Sequence, residues 1–157
     1  MNIINPFTVV GSFALLLAGL AYFNPRLGQK VTGVFFLLMA LGVNLPILLT
    51  NPDLYVQMGN GAFLPLYRWF FSTILATYTI PLGFALIVFE ITTGILILFR
   101  GKAMLTGLLM ASVFCIFVTP LGIEEITAPL LIISFAILAL KNQRTPTTQA
   151  SPVIPTT

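Results

Sequence analysis

Glu90 occupies the middle of an apolar stretch, Ile80 to Phe99, that reads as a membrane-spanning helix closed by Arg100. At about 1.5 Å per residue the acid lies some 15 Å from that end, near the centre of a hydrocarbon core about 30 Å thick. Insertion scales charge roughly 2.5–3.5 kcal/mol for a central acid, so a carboxyl group at this depth marks a functional site by default. Three kinds of chemistry suit it: relaying a proton, hydrogen-bonding a quinone-like head group, or binding a cation with help from neighbouring helices. The competing explanation is a carboxylic acid kept neutral by desolvation and hydrogen-bonded to a backbone carbonyl or hydroxyl.

Asn44 is the second polar residue at membrane depth, and it precedes Pro46, whose missing N–H frees a carbonyl one turn back. It is a candidate partner for Glu90, with interhelical packing, on average about 0.6 kcal/mol, as the favoured role. Thr92 and Thr93 are weaker candidates because their hydroxyls can bond back to carbonyls of their own helix. Arg68 and Trp69 stand among Phe63, Tyr67, Phe70 and Phe71, where an arginine fork and an aromatic face could take a lipid phosphate or a quinone head. An ordinary snorkelling arginine in an interfacial aromatic belt is the simpler explanation and the one favoured. Glu124 and Glu125, ahead of the last apolar run, read as helix-capping acids.

Helical spacing places Gly83, Ile87, Glu90, Gly94 and Ile97 on one stripe, so the acid shares its face with glycines that let another backbone approach. Ala103, Gly107, Ala111 and Cys115 recur every fourth residue, a small-residue ladder for tight helix crossing. Cys115 reads as a packing residue. With one cysteine and no histidine, the chain has no internal disulfide, no dithiol motif and no histidine-ligated metal or haem site. No phosphate loop or catalytic triad spacing occurs, which argues against a self-contained enzyme.

The elements that must position these residues follow from composition. Charged residues make up 7% of the chain, against about 25% in soluble proteins, and hydrophobic residues 58%. The lysines and arginines are scattered between apolar runs, which excludes a nucleic-acid surface. Five runs are near spanning length: 6–23, 31–49, 80–99, 103–119 and 126–140. The fold expected is an all-α, polytopic transmembrane bundle forming one domain over 1–141, followed by a Pro- and Thr-rich disordered tail over 142–157. Residues 1–22 lack a basic n-region and read as a retained helix rather than a signal peptide.

The connections carry, in order, Arg26 and Lys30; Asp53 and Arg68; Arg100 and Lys102; Glu124 and Glu125; and finally Lys141 and Arg144. Basic pairs fall in every second connection, so the positive-inside rule places the N-terminus outside and the C-terminus in the cytoplasm. Two segments admit two readings. Residues 66–79 either lie in the membrane interface or extend the third span with a bend at Pro81, and residues 119–125 form either a loop or a re-entrant break at Pro120.

From Phe84 to Leu140 the order of features resembles the DoxX-like family of small membrane proteins: an acid followed by glycine and aliphatics (Phe89-Glu90-Ile91-Thr92-Thr93-Gly94-Ile95-Leu96), the basic turn Arg100-Gly101-Lys102, then two apolar spans. That family has four spans, and the first span here is additional. The resemblance implies a subunit associated with quinone-linked electron transfer. The reading is therefore an accessory subunit of a larger complex in a prokaryotic cytoplasmic membrane, surrounded by lipid and other membrane subunits. Its only cofactor would be a non-covalently held quinone or lipid. The alternative is a small proton or ion transporter, acting as a homo-oligomer because five short helices enclose little volume, with Glu90 and Asn44 at its midplane.

Overall fold

The computed structural model describes residues 6–122 and 127–143, and every regular element among them is helical. Three helices are long and apolar enough to cross a membrane: Pro25–Thr50, Thr79–Leu98 and Lys102–Leu121. Two shorter apolar helices, Gly11–Phe23 and Ala128–Asn142, pack with them. Leu16, Val34, Leu49, Val88, Leu109, Ile116 and Ile133 all project outward. A continuous apolar exterior of this kind suits hydrocarbon and would be a liability in water.

Helix α1 (Pro6–Phe23) ends at Asn24, and α2 (Pro25–Leu38) begins immediately after it. The Asn24 side chain accepts the Leu27 N–H at 3.1 Å, and Pro25 occupies the first helical position, where its missing N–H costs nothing. The expected connection before Val31 is thus already helix, and Arg26 and Lys30 stand on its first turns. The helix then widens into a π-helical segment, Met39–Asn44, before continuing as α3 (Leu45–Thr50). Pro46 explains the widening: it cannot donate, and its ring would strike a carbonyl four residues back in a regular helix.

After the turn at Asn51 and Pro52 come the short helices α4 (Asp53–Met58) and α5 (Pro65–Trp69), the latter prolonged by a second π-helical segment, Phe70–Leu75. Tyr78 breaks the helix at φ −121° and ψ 35°, and α6 (Thr79–Leu98) starts anew. The bend expected at Pro81 is therefore absent, because Pro81 lies in the first turn of α6, where N–H groups have no partner inside the helix.

Gly101, at φ 68°, makes the reversal into α7 (Lys102–Val118). Only glycine adopts that backbone without a steric penalty. One 3₁₀ turn, Thr119–Leu121, prolongs α7, and α8 (Ala128–Gln143) follows. The last helix runs two residues beyond the expected boundary at Lys141. Glu124, Glu125, Arg144 and most of the expected tail lie outside the described residues.

The helices close a ring in the order α1, α2, α6, α7, α8 and back to α1. Phe36 of α2 lies inside it, with ring centroids 6.2 Å from Phe114 of α7 and 6.5 Å from Phe135 of α8. At one end Gln29 donates to the carbonyls of Ile97, at 2.7 Å, and Phe99. There too Lys141 donates to the Tyr22 carbonyl and lies over the Tyr22 ring. At the other end the Phe63 N–H reaches the Pro120 carbonyl at 2.9 Å, and the Tyr67 hydroxyl donates to Phe117 at 3.0 Å. Arg26, Lys30, Arg100, Lys102 and Lys141 consequently gather at one end of the bundle, and Asp53 and Arg68 at the opposite end.

Candidate functional site

Glu90 is 1% exposed and turned into the protein. The α6 stripe expected from spacing, Gly83, Ile87, Glu90, Gly94 and Ile97, is buried along its whole length. Most of it faces the antiparallel Pro25–Thr50 helix. A Cβ on Gly94 would lie 2.8 Å from the Gly33 carbonyl oxygen, and one on Gly83 would lie 2.4 Å from Leu48 Cδ1. The two helices approach this closely only because those side chains are absent, and the approach brings short polar side chains within reach of one another.

Asn44 Nδ2 donates to Glu90 Oε2 at 2.6 Å. The Asn44 amide is oriented from its other side by a residue absent from the sequence expectations: the Tyr55 hydroxyl of α4 lies 3.0 Å from both Asn44 O and Asn44 Oδ1. One hydroxyl hydrogen shared between two carbonyl oxygens of the same residue fixes that side chain's rotamer, and it leaves Nδ2 pointing at α6. The reverse amide orientation would set Oδ1 against a carboxyl oxygen. The π-helical segment ends at Asn44, so Pro46 acts on the site by setting the direction from which Asn44 faces Glu90.

All three groups are enclosed: Tyr55 is 5% exposed and Asn44 8%. Burial pushes the Tyr55 phenol above its ordinary 10.0, and the charge of a Glu90 carboxylate acts in the same direction. Tyr55 is therefore a permanent donor at physiological pH. The order of donation runs from Tyr55 to Asn44 to Glu90, from the Asp53 end of the bundle towards mid-membrane.

The threonines behave differently from each other. Thr92 bonds back to the Val88 carbonyl at 2.7 Å, as expected. Thr93, fully buried one turn from Glu90, has no hydrogen-bond partner for its hydroxyl among the described residues. Sequence spacing signals the shared face but not the missing bond.

Arg68 and Trp69 are not brought to this site. Arg68 Nε donates to the Ala62 carbonyl at 2.7 Å, tying α5 to the loop before it, and Trp69 is half-exposed. In the α7 ladder, Ala111 and Cys115 are buried in the core and Ala103 is half-buried. A Cβ on Gly107 would lie 2.8 Å from the backbone nitrogen of Ile97. No cluster of three or more potential metal ligands occurs among the described residues.

The arrangement defines a polytopic α-helical membrane protein with a buried Tyr–Asn–Glu hydrogen-bond chain between two of its long helices. Comparison of the chain with family models, with curated proteins and with solved structures finds no match.

Proposed function

We propose that the chain is a five-pass accessory subunit of a larger complex in a prokaryotic cytoplasmic membrane, with its basic end in the cytoplasm. One observation carries this reading: the acid at membrane depth is already occupied by the chain's own Asn44, itself held by Tyr55, and is buried where α6 packs against the Pro25–Thr50 helix. Such a carboxyl group clamps α6 to the long helix before it and leaves the outer helix faces to meet lipid or other subunits. The concentration of Arg26, Lys30, Arg100, Lys102 and Lys141 at one end favours the orientation. The two shorter helices supply the first and fifth passes.

The resemblance of residues 84–140 to the DoxX-like family favours a quinone-linked electron-transfer complex. A quinone would meet this chain at its surface, because Glu90 is buried and one of its carboxyl oxygens is already held by Asn44.

A second reading, a proton or ion transporter, draws on a separate observation: the π-helical segment ends at the residue that holds the acid. Such segments are frequent at functional sites and allow a helix to change register locally.

Two measurements on the intact chain separate the readings. Extraction from native membranes in mild detergent should retain another membrane protein at fixed stoichiometry, and elution of the chain alone would count against the subunit. Reconstituted vesicles should show equal proton and cation permeability for wild type and Glu90→Gln. Flux that vanishes in Glu90→Gln would establish transport instead.

A further inference from the structure

A groove of about 290 Å³ runs along the outside of the bundle between α1 and α2, lined by Phe13, Lys30, Val31, Val34, Phe35 and Leu38. Its lining is graded. Along α2, Arg26, Lys30, Val34 and Leu38 follow one another at four-residue intervals and so share a face. Lys30 lines the end nearest the helix start, with Arg26 one turn before it on the same helix face, and apolar side chains line the remainder. From Lys30 to Leu38 the groove extends about 12 Å towards the bilayer centre at 1.5 Å per residue. The Phe13 and Phe35 rings, with centroids 4.8 Å apart, tie the two helices together beside it.

Among the described residues the cations have no counter-charge. The first turn of α2 contains no acid, and among the described residues neither Arg26 nor Lys30 is paired with a carboxylate. Both side chains are exposed at the membrane-boundary end of a helix long and apolar enough to span. An occupant complementary to this surface needs an anionic group at one end and a flexible hydrocarbon chain behind it.

We infer that the groove between α1 and α2 is a binding site for an anionic phospholipid, with the phosphate on Arg26 and Lys30 and one acyl chain along Val34, Phe35 and Leu38. The inference rests on Pro25–Thr50 crossing the membrane and not on any partner complex, so it can fail while the accessory-subunit reading stands. Basic side chains against anionic lipid give the charge term, and the groove's apolar wall gives the chain its place.

The test uses the full chain in mild detergent, with intact-protein mass spectrometry counting adducts of phosphatidylglycerol and of phosphatidylcholine carrying identical acyl chains. Phosphatidylglycerol adducts should predominate. The preference should fall roughly five-fold for each cation removed in Arg26→Gln and Lys30→Gln, with phosphatidylcholine adducts unchanged. Val34→Trp, which fills the groove, should lower adducts of both lipids. These positions are exposed, and unchanged gel-filtration elution verifies that the variants fold.

Equal retention of the two lipids by the wild type would overturn the site. So would an equal loss of preference in Lys102→Gln, a cation at the same end outside the groove, since that result signifies general attraction to a basic surface. Displacement of the lipid by millimolar inorganic phosphate would show a headgroup site with no acyl-chain component, and the inference would fall.

Discussion

Gly33 and Gly94 face each other across the two longest-paired helices so closely that a Cβ on either would come within 3.0 Å of the other's carbonyl oxygen. Backbone cannot retreat as a side-chain end can, so Gly94→Ala should lower stability by about 1–3 kcal/mol, the range for overpacking. Gly19→Ala is the control, because nothing lies within 4 Å of its added methyl. Removing helical glycine there should be neutral or stabilise by about 0.5–1 kcal/mol. Thermal unfolding in one detergent compares the two, and equal effects would contradict the close crossing.

The same approach makes the polar pair possible. Asn44→Leu strands a buried carboxyl group, while the Tyr55 hydroxyl keeps the backbone carbonyl of residue 44 as its acceptor, and should cost about 1–3 kcal/mol. Glu90→Gln keeps an oxygen that can accept from Asn44, and should cost less than half as much. A double-mutant cycle over Asn44→Leu and Glu90→Leu should give a coupling of about 0.5–2 kcal/mol. Strict additivity would mean that the 2.6 Å contact contributes nothing.

Tyr55 offers a pH signature. Its phenol titrates above the ordinary 10.0, so the folded state favours the protonated form. The associated stability is complete below pH 10 and disappears as pH rises through the folded value. Tyrosinate absorbance of the wild type, minus that of Tyr55→Phe, should therefore develop only above 10.0. A difference spectrum that develops below that value would show the hydroxyl to be solvated.

Orientation is accessible to labelling. Asn60→Cys, on the turn between α4 and α5, should react with a membrane-impermeant maleimide on intact cells, whereas Lys102→Cys should react only after lysis. Native Cys115 is buried and gives no background. Labelling of both positions from one side would overturn the alternation of passes.

Much of this architecture is legible in the sequence because each helix must satisfy its backbone within itself when no water is present. Apolar run length alone then marks the helices. The pairing of Glu90 with Asn44 is legible for a related reason, since polar groups at membrane depth are few and need one another. Tyr55 is not, because it lies in the mixed segment 51–79, where no hydrophobic period indicates which side chain turns inward. The start of α2 is obscured by its own capping signal: Asn24 and Pro25 terminate α1 and also begin the following helix, so a stop and a start share the same residues. The break at Tyr78 carries no glycine or proline signal of its own, and Pro81 draws attention to the wrong position.

The first and last helices run parallel as neighbours. The Ser134 hydroxyl donates to the Ala14 carbonyl across a separation of 120 residues. During biosynthesis at about 5–20 residues per second, α1 leaves the ribosome some 6–24 s before α8 can reach it. For that interval the flank of α1 that α8 will cover faces whatever the insertion machinery or the bilayer provides. Helix α1 acquires this neighbour only after α2, α6 and α7 have been made, which makes the arrival of α8 the step that commits the nascent bundle to its native assembly.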